Sequence, residues 1–286
     1  MRPGRWKTVR KIDAHVHVVL HERENTDLVL NSTQSMLRTM DKQGVDRAIV
    51  VPINFPEYFP NGSQASDGNW VASNNVRQSS IAAEADGRLD AFADCGIQET
   101  MQGRDSVTHA IRTLGLSGLK IHPYNLGASA DDLRLHEWIA AAADLCVPII
   151  FHSNPSGHSA DFHGSAPARI YQAVYGLDAV YSIAHMGGVA FQELLAGGGY
   201  VDLSGTLLWL ADLYGSKFCE RFLRRIGIAR LLFATDYPIF AYEDYFAVLD
   251  QMAFSDEEVS MIASQNAERF LKCLPPLVHS LSLIHI

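Results

Sequence analysis

The sequence is poor in cysteine, and its four cysteines form no recognisable pattern. No two of them have the spacing of a zinc-binding pair, and they are too far apart to suggest a disulfide framework. Most lie in apolar stretches, so we expect reduced side chains in the interior of a cytoplasmic protein. The four are Cys95, Cys146, Cys219 and Cys273.

Long apolar runs and an excess of positive charge are also absent. No uninterrupted apolar stretch approaches the roughly 18 residues that cross a bilayer, so we expect no membrane partner. Residues 1–11 are basic, but they have neither the apolar run nor the small-residue cleavage site of a signal peptide. The formal net charge of -9 offers no basic stripe to a phosphate backbone, which argues against nucleic acid. The expected partner is a small-molecule substrate.

The glycine-rich phosphate loop that usually follows the first strand of an open dinucleotide-binding sheet is missing as well. What the chain does contain is a regular alternation of short apolar runs with helical patterns, which indicates parallel βα units. Eight such units close into a (β/α)8 TIM barrel, an α/β fold. The predicted strands are Lys11–Val19, Arg47–Ile53, Leu89–Ile97, Leu116–His122, Val147–His152, Ala179–His185, Tyr200–Ser204 and Arg230–Thr235.

We expect one domain, because 48% of the 286 residues are hydrophobic and can fill one large core. The barrel is assigned to residues 11–273, preceded by an N-terminal extension of residues 1–10. Residues 274–286 carry apolar side chains without a clear period, so we interpret them as a tail outside the fold. Helix N-caps are predicted at Ser32, Asp131 and Ser255.

Polar residues at the ends of these apolar strands carry the functional signal, because strand carboxyl ends form the active-site face of a TIM barrel. His15 and His17 are two residues apart on the first strand, so both imidazoles project from one side and can hold one cation. Alone, the pair could equally be two hydrogen-bonded polar residues at a strand end. With His152 after the fifth strand and Asp236 after the eighth, we predict a four-residue metal site.

Three neutral imidazoles and one carboxylate suit a borderline divalent cation. We expect one zinc ion, with iron, manganese and cobalt as alternatives. Such a cation lowers the pKa of bound water from 15.7 to roughly 7, which supplies hydroxide near neutral pH. The sequence therefore predicts a metal-dependent enzyme with a hydroxide nucleophile.

Lys120 and His185 are further candidates at strand ends. Lys120 lies two residues before His122, so both side chains should point into the barrel. The lysine could be carboxylated and bridge two metals, bind a substrate carboxylate, or pair with a buried acid. His185 could be a fifth ligand, a catalytic acid or base, or a core histidine bonded to the backbone. We favour acid–base catalysis or polarisation of a carbonyl by His185.

Residues in the loops after the strands could contact the substrate. Phe55, in an aromatic stretch after the second strand, and Tyr124, after the fourth, are predicted substrate-binding residues together with Lys120 and His122. The aromatic stretch could equally pack over the barrel mouth. Residues 154–167 are long enough for a substrate lid, although a solvated loop is the preferred interpretation.

Together these residues resemble the amidohydrolase superfamily, in particular its amidohydrolase-related (amidohydrolase 2) branch. The resemblance covers about residues 11–272 and rests on short motifs that occur in order at strand ends. The motifs are Asp13-Ala-His-Val-His17, Gly118-Leu-Lys-Ile-His-Pro123, Phe151-His152, Ala184-His-Met-Gly-Gly188, Val201-Asp-Leu-Ser204, Phe233-Ala-Thr-Asp-Tyr-Pro238 and Asn266-Ala-Glu-Arg-Phe270.

The resemblance implies a divalent metal on the four predicted ligands, a proton shuttle at Asp236, His185 near the substrate, and a homodimer. Members of this branch are hydrolases of lactones, amides and related compounds, or non-oxidative decarboxylases of aromatic or unsaturated acids. Decarboxylases similar to the aminocarboxymuconate semialdehyde enzyme tend to have an arginine after the second strand, and residues 51–66 contain none.

We therefore expect a hydrolase that cleaves a C–O or C–N bond of a small carboxylic acid derivative, such as a lactone, an ester or an amide. A carboxy-lyase that uses the same ligands is the alternative. A barrel that binds without catalysis is a third interpretation, from a different functional class.

Overall fold

The computed structural model describes residues 4–18, 32–52, 68–97, 102–153, 163–188 and 190–277. Its centre is a sheet of eight parallel strands in which each strand pairs with the next one along the chain. The first strand meets the last through a hydrogen bond of 2.8 Å from the Ala14 N–H to the Phe233 carbonyl. This arrangement confirms the predicted (β/α)8 TIM barrel.

Each of the eight predicted apolar runs overlaps one strand, although β2 begins at Val45, two residues before its predicted run. The observed strands are shorter than the predicted runs, and the polar residues that end most of these runs lie beyond the ladder. The strands are β1 Lys11–Val16, β2 Val45–Val50, β3 Leu89–Ala93, β4 Gly118–Ile121, β5 Ile149–Phe151, β6 Tyr181–Ile183, β7 Tyr200–Asp202 and β8 Leu231–Leu232.

Helices surround the barrel, and in the described part of the chain none of them is long and apolar enough to cross a membrane. Two short 3-10 segments, Ala184–Gly187 and Ile228–Arg230, and a π-helical turn, Met261–Gln265, interrupt the regular pattern. The α-helices are α1 Arg5–Thr8, α2 Thr33–Gln43, α3 Gly68–Ala83, α4 Gly103–Arg112, α5 Pro123–Leu126, α6 Leu133–Asp144, α7 Pro167–Val174, α8 Phe191–Ala196, α9 Thr206–Tyr214, α10 Ser216–Ile226, α11 Tyr242–Leu249, α12 Asp256–Ser260 and α13 Asn266–Leu271.

Two of the three predicted helix N-caps are confirmed. The side chains of Ser32 and Ser255 each accept a hydrogen bond from the backbone N–H three residues later, at the starts of α2 and α12. The third prediction was wrong, because the N-cap of α6 is Asp132 and not Asp131. Asp131 instead accepts a hydrogen bond of 2.9 Å from Arg169, which α7 brings beside this loop.

The cysteines are all free thiols, but only two of them lie in the interior. Cys95 and Cys219 are buried, as predicted, whereas Cys146 is exposed and Cys273 is half-buried. The core position predicted for the last two was wrong, because they follow the ends of α6 and α13. Both adopt a φ of 52° there, in the left-handed region that ends helices.

The amino-terminal end of the barrel is closed by the Asn266–Phe270 motif. The Asn266 side-chain amide donates hydrogen bonds of 2.8 Å to the carbonyls of Ile228 and Leu231, just before and within β8. The Phe270 ring stacks on Phe92 with a centroid distance of 6.3 Å. The motif therefore packs against the floor of the barrel.

Residues 5–8, which precede the predicted barrel, form α1 and pack against it. Trp6 is fully buried, and its ring lies 6.0 Å from that of Phe233. Its backbone N–H donates a hydrogen bond of 3.0 Å to the carboxylate of Asp250, which follows α11. The side chain of Trp6 therefore belongs to the core between the barrel and its helices.

Trp6→Ala should lower the free energy of unfolding by about 3–5 kcal/mol, because it removes a large buried side chain and leaves a cavity. Equilibrium unfolding in urea measures this change. Trp209→Ala is the matched control, since Trp209 on α9 is 49% exposed and its loss should change the free energy by about 0.5 kcal/mol or less. Equal urea midpoints for Trp6→Ala and the wild type would contradict a structural role for α1.

Candidate metal centre

The carboxyl ends of the strands bring the predicted ligands and catalytic residues into one cleft. The space in the cleft that is not filled by protein atoms is about 300 Å3, and this volume includes the open solvent at its mouth. Every predicted metal ligand lines it, and so do His185, Lys120 and His122. Among the described residues the lining consists of His15, His17, Pro52, Lys120, His122, Asn125, His152, His185, Asp236 and Ile239.

Of the other two predicted substrate-binding residues, Tyr124 is not among the described lining residues, and Phe55 cannot be compared with them. Tyr124 is half-buried on α5, and its neighbour Asn125 faces the cleft. Phe55 lies outside the described residues, as does most of the segment interpreted as a lid or loop. The described end of that segment includes an exposed His163. The substrate contacts of Phe55 and Tyr124 stay predictions.

Three predicted ligands converge most closely. Nε2 of His17 lies 3.0 Å and Nε2 of His15 lies 3.6 Å from Oδ1 of Asp236. His15 lies on β1 and His17 follows its last residue, and the Asp236 backbone N–H donates a hydrogen bond of 2.8 Å to the His15 carbonyl. Asp236 has a φ of 62°, a left-handed conformation that turns the chain sharply after β8. The closure of the barrel between β8 and β1 therefore places the carboxylate beside both imidazoles.

Asp13 reinforces this junction between β1 and β8. Its carboxylate accepts hydrogen bonds from the hydroxyl and the backbone N–H of Thr235, at 2.6 and 3.1 Å. It also accepts one of 3.1 Å from the His15 backbone N–H. Complete burial raises the pKa of Asp13 to about 7, although the hydrogen bonds oppose the shift. Asp13 thus ties together the strand ends that carry His15 and Asp236.

The tautomer of His17 follows from its hydrogen bond to the backbone. Its Nδ1 lies 3.0 Å from the carbonyl of Val51, which can only accept. In the neutral form of the ring, which is the form that binds metals, the hydrogen is therefore on Nδ1, and the lone pair on Nε2 faces Asp236. A lone pair oriented in this way by an outer hydrogen bond is typical of a metal-binding histidine.

Asp202, at the end of β7, is a site residue that the sequence reasoning missed. It is fully buried, and its Oδ2 accepts a hydrogen bond of 2.8 Å from Nδ1 of His15. Its Oδ1 accepts the backbone N–H groups of His185 and Ser204, at 2.9 and 3.1 Å. Burial alone would raise the pKa of Asp202, but its interactions with His15 outweigh burial and hold the carboxyl ionised. A charged residue that ends an apolar strand was the signal in the sequence.

The ionised Asp202 sets the direction of a chain of hydrogen bonds around the cleft. It can only accept, so the hydroxyl of Ser204 donates to it and is left to accept from Nδ1 of His185, at 2.8 Å. Nε2 of His185 then carries a lone pair and accepts from Nδ1 of His152, at 3.1 Å. As a result, Nε2 of His152 is unprotonated, and so is Nε2 of His15.

The described residues contain two close groups of potential ligand atoms. The hydrogen bonds around the cleft show which of the two groups has free lone pairs for a cation. In the group of His15, His185 and Asp202, the carboxylate is already occupied by the N–H groups of its neighbours. In the group of His15, His17 and Asp236, two lone pairs and an ionised carboxylate face one another. His152 belongs to neither group of atoms within 4.8 Å of one another. The second group has the donor set that fits a divalent cation.

Burial lowers the pKa of four imidazoles of the cleft, those of His15, His122, His152 and His185, and so favours their neutral form. It lowers the pKa of His15 to about 4, with the nearby Lys120 charge as a second cause. It also holds the pKa values of His122 and His152 well below the usual histidine value, and these rings stack with centroids 3.7 Å apart. Neutral imidazole is the form that binds metals.

The two charged side chains lining the cleft have opposite signs. Burial would raise the pKa of Asp236, but the electrostatic influence of His17 and the other histidines of the cleft outweighs burial, so the carboxyl is ionised. Burial lowers the pKa of Lys120 to about 8, and the charges of Asp202 and Asp236 oppose this shift. The Lys120 ammonium lies 3.5 Å from Nε2 of His15.

Solved structures with this fold include two enzymes of different reaction types. The 5-carboxyvanillate decarboxylase of Novosphingobium aromaticivorans, solved with manganese and 4-hydroxy-3-methoxy-5-nitrobenzoic acid, is 15% identical, with a TM-score of 0.71 over 93% of this chain and 97% of that chain. A protein of Acinetobacter baumannii described as a probable 2-pyrone-4,6-dicarboxylic acid hydrolase, solved with citric acid, is 16% identical. Its TM-score is 0.65 over 91% of this chain and 98% of that chain. At these identities the similarity shows the fold alone.

Sequence comparison gives the family. The 4-hydroxy-tetrahydrodipicolinate synthase of Zymomonas mobilis is 27% identical over 122 residues, which are 42% of this chain and 41% of that enzyme. The chain thus spans less than half the length of this relative. The family model described as Amidohydrolase matches residues 12–273. That match covers the whole barrel and every described residue of the cleft, and the chain therefore belongs to the amidohydrolase family.

Proposed function

We propose that this protein is a metal-dependent hydrolase that cleaves a C–O or C–N bond of a small carboxylic acid derivative. The observation that carries the proposal is the pairing, in one buried cleft, of an ionised carboxylate with neutral imidazoles. Asp236 can accept a proton, and His122 and His185 lie in the same cleft to donate or exchange one. Acyl transfer to water requires both operations.

The cation would be held by His15, His17, His152 and Asp236, whose nitrogen lone pairs follow from the hydrogen bonds to Val51 and Asp202. We propose zinc, because neutral imidazoles with one carboxylate suit it, and manganese is the first alternative. When bound, the cation would act as a Lewis acid on a substrate oxygen and make water more acidic.

Asp236 is the proposed proton acceptor. Its carboxyl is ionised at neutral pH, and the backbone hydrogen bond of Asp236 to the His15 carbonyl, at 2.8 Å, fixes its position. As the attacking water forms a bond to the acyl carbon, Asp236 takes up the proton that this water loses. The C–O or C–N bond then breaks, and the proton passes to the departing oxygen or nitrogen.

His122 and His185 are proposed to act on different atoms of the substrate. Nδ1 of His122 accepts the backbone N–H of Asn125 at 3.3 Å, so its hydrogen is on Nε2 and can be donated to a carbonyl oxygen. The hydrogen of His185 is on Nδ1, where it is used by Ser204. We therefore assign proton exchange, rather than polarisation of the carbonyl, to His185.

Decarboxylation is the second candidate, and one feature of the cleft favours it. Lys120 is the only cationic lysine or arginine among the described lining residues, and an ammonium at this position could hold a substrate carboxylate. The similar fold of 5-carboxyvanillate decarboxylase is consistent with such chemistry. In this reaction the same cleft would release carbon dioxide and protonate the remaining carbanion.

Elemental analysis of the purified protein, followed by turnover assays, tests the proposal. We expect one divalent ion per chain, loss of activity on chelation, and recovery on addition of zinc or manganese. A panel of lactones, esters and amides should be hydrolysed without release of carbon dioxide from aromatic acids. Full activity of the metal-free protein would refute metal dependence, and carbon dioxide release with inert lactones would replace hydrolysis by decarboxylation. Two ions per chain would favour a carboxylated Lys120.

A further inference from the structure

The side chain of Asn125 has an unusual position beside the candidate metal centre. It lies on α5, the single helical turn that follows β4, and it lines the cleft with His122 and His152. Both of its polar side-chain atoms, Oδ1 and Nδ2, are buried and lack a hydrogen-bond partner among the described residues. No other side chain that lines the described cleft has a buried polar atom in this state.

A buried carboxamide without partners destabilises a folded protein, because it loses its hydrogen bonds to water and gains none in return. Leucine has nearly the same size and would avoid this cost. By contrast, the buried Asn266 of the barrel floor donates two hydrogen bonds to backbone carbonyls and so stabilises the fold. The described residues give the carboxamide of Asn125 no such partner, so a ligand in the cleft can supply one.

The two unpaired atoms define the chemistry of this partner. The Nδ2 group donates and Oδ1 accepts, so a hydroxyl group, which does both, is complementary to them. A carboxylate would satisfy Nδ2 but repel Oδ1, and it has a better site near Lys120 and the candidate metal centre. The terminal torsion of asparagine is soft, so the carboxamide can turn toward a ligand without a shift of α5.

We propose that Asn125 is a specificity-determining residue that binds a hydroxyl group of the substrate, beside the centre that binds its acyl or carboxylate group. This inference rests on the proposed function, since it assumes that the substrate lies in the same cleft. It extends that proposal by naming a class of substrate, the hydroxylated carboxylic acids and their derivatives.

The test compares equilibrium binding in the metal-loaded wild type and in Asn125→Leu. The probes are two matched pairs, salicylate with benzoate and lactate with propionate, measured by isothermal titration calorimetry. The wild type should bind the hydroxylated member of at least one pair about tenfold more tightly, and Asn125→Leu should bind both members equally. The proposal is overturned if the wild type shows no preference, which includes the case in which it binds none of the probes. It is also overturned if Asn125→Leu retains the preference.

Thermal unfolding of the ligand-free proteins supplies a second readout. Asn125→Leu should unfold at the wild-type temperature or above it, because the substitution removes unpaired buried polar atoms. Asn266→Leu is the matched control and should unfold at a lower temperature, since it removes two hydrogen bonds. A lower unfolding temperature for Asn125→Leu would show that the carboxamide is structural and overturn the proposal.

The two proposals fail in different ways. Binding and unfolding are measured without turnover, so an enzyme that proves to be a decarboxylase leaves the Asn125 comparison fully readable. Conversely, an unchanged preference in Asn125→Leu removes the hydroxyl-binding role and leaves metal-dependent hydrolysis intact.

Discussion

Asp236→Asn should lower kcat/KM by at least about 10³-fold, which is within the range that general acid–base groups contribute. The carboxamide has the shape of the carboxylate but neither its charge nor its basicity, so it cannot take up the proton of the attacking water. It also weakens the cation site by removing its one anionic ligand. The measurements are steady-state kinetics on the hydrolysed substrate and metal content per chain.

The fold should survive this change, because the Asp236 backbone hydrogen bond to His15 is independent of the side chain. Asp244→Asn is the control: this exposed aspartate on α11 lies outside the cleft, and its loss should leave the kinetics unchanged. Activity of Asp236→Asn within about tenfold of the wild type would rule out the role assigned to Asp236.

Asp202→Asn should weaken metal binding by about 10–100-fold, although Asp202 is not among the proposed ligands. An ionised carboxylate accepts hydrogen bonds from both His15 and the Ser204 hydroxyl, whereas a carboxamide has only one oxygen and must place its NH2 group toward one of them. If the NH2 group faces His15, the hydrogen on Nδ1 of His15 loses its acceptor. If it faces Ser204, the hydrogen bonds from Ser204 through His185 to His152 reverse their direction. Either change removes a nitrogen lone pair from the cleft. Competition with a chromogenic chelator measures the dissociation constant.

Asp90→Asn separates this effect from a general loss of stability. Asp90 is half-buried on β3 and accepts two hydrogen bonds from Arg47, at 2.7 and 2.8 Å, far from the cleft. Its substitution should lower the unfolding temperature and leave the metal dissociation constant unchanged. An unchanged metal affinity in Asp202→Asn would mean that Asp202 does not orient the ligands.

The barrel could be predicted because its signal is local. A strand of a parallel barrel is buried on both faces, so each of the eight appears as a short apolar run whatever surrounds it. The ends of the strands were less predictable. For β8 the run Arg230–Thr235 contains a strand of only Leu231–Leu232, because the following residues bond to β1 and to the helices instead of extending the ladder.

The four proposed metal ligands could also be predicted from the sequence. His15 and His17 share a strand face by their spacing, and His152 and Asp236 stand where strands end. Asp202 and Asn125 were not identified as site residues, although Asp202 lies within one of the noted motifs and Asn125 follows another. The role of Asp202 depends on His15, which is 187 residues away in the chain, and the position of Asn125 depends on the strands that surround the cleft.

The sequence alone was sufficient for the barrel, its strand count and the residues at its mouth, because periodicity and strand ends are properties of neighbouring residues. The tertiary structure was needed for everything that depends on a partner distant in sequence. It shows that Asp131 pairs with Arg169, that Asp132 caps α6 and that Trp6 joins the core. Its hydrogen bonds also indicate which nitrogen of the cleft histidines carries a hydrogen. Burial and hydrogen-bond direction arise only when distant strands meet, and these two quantities decide what the side chains of the cleft can do chemically.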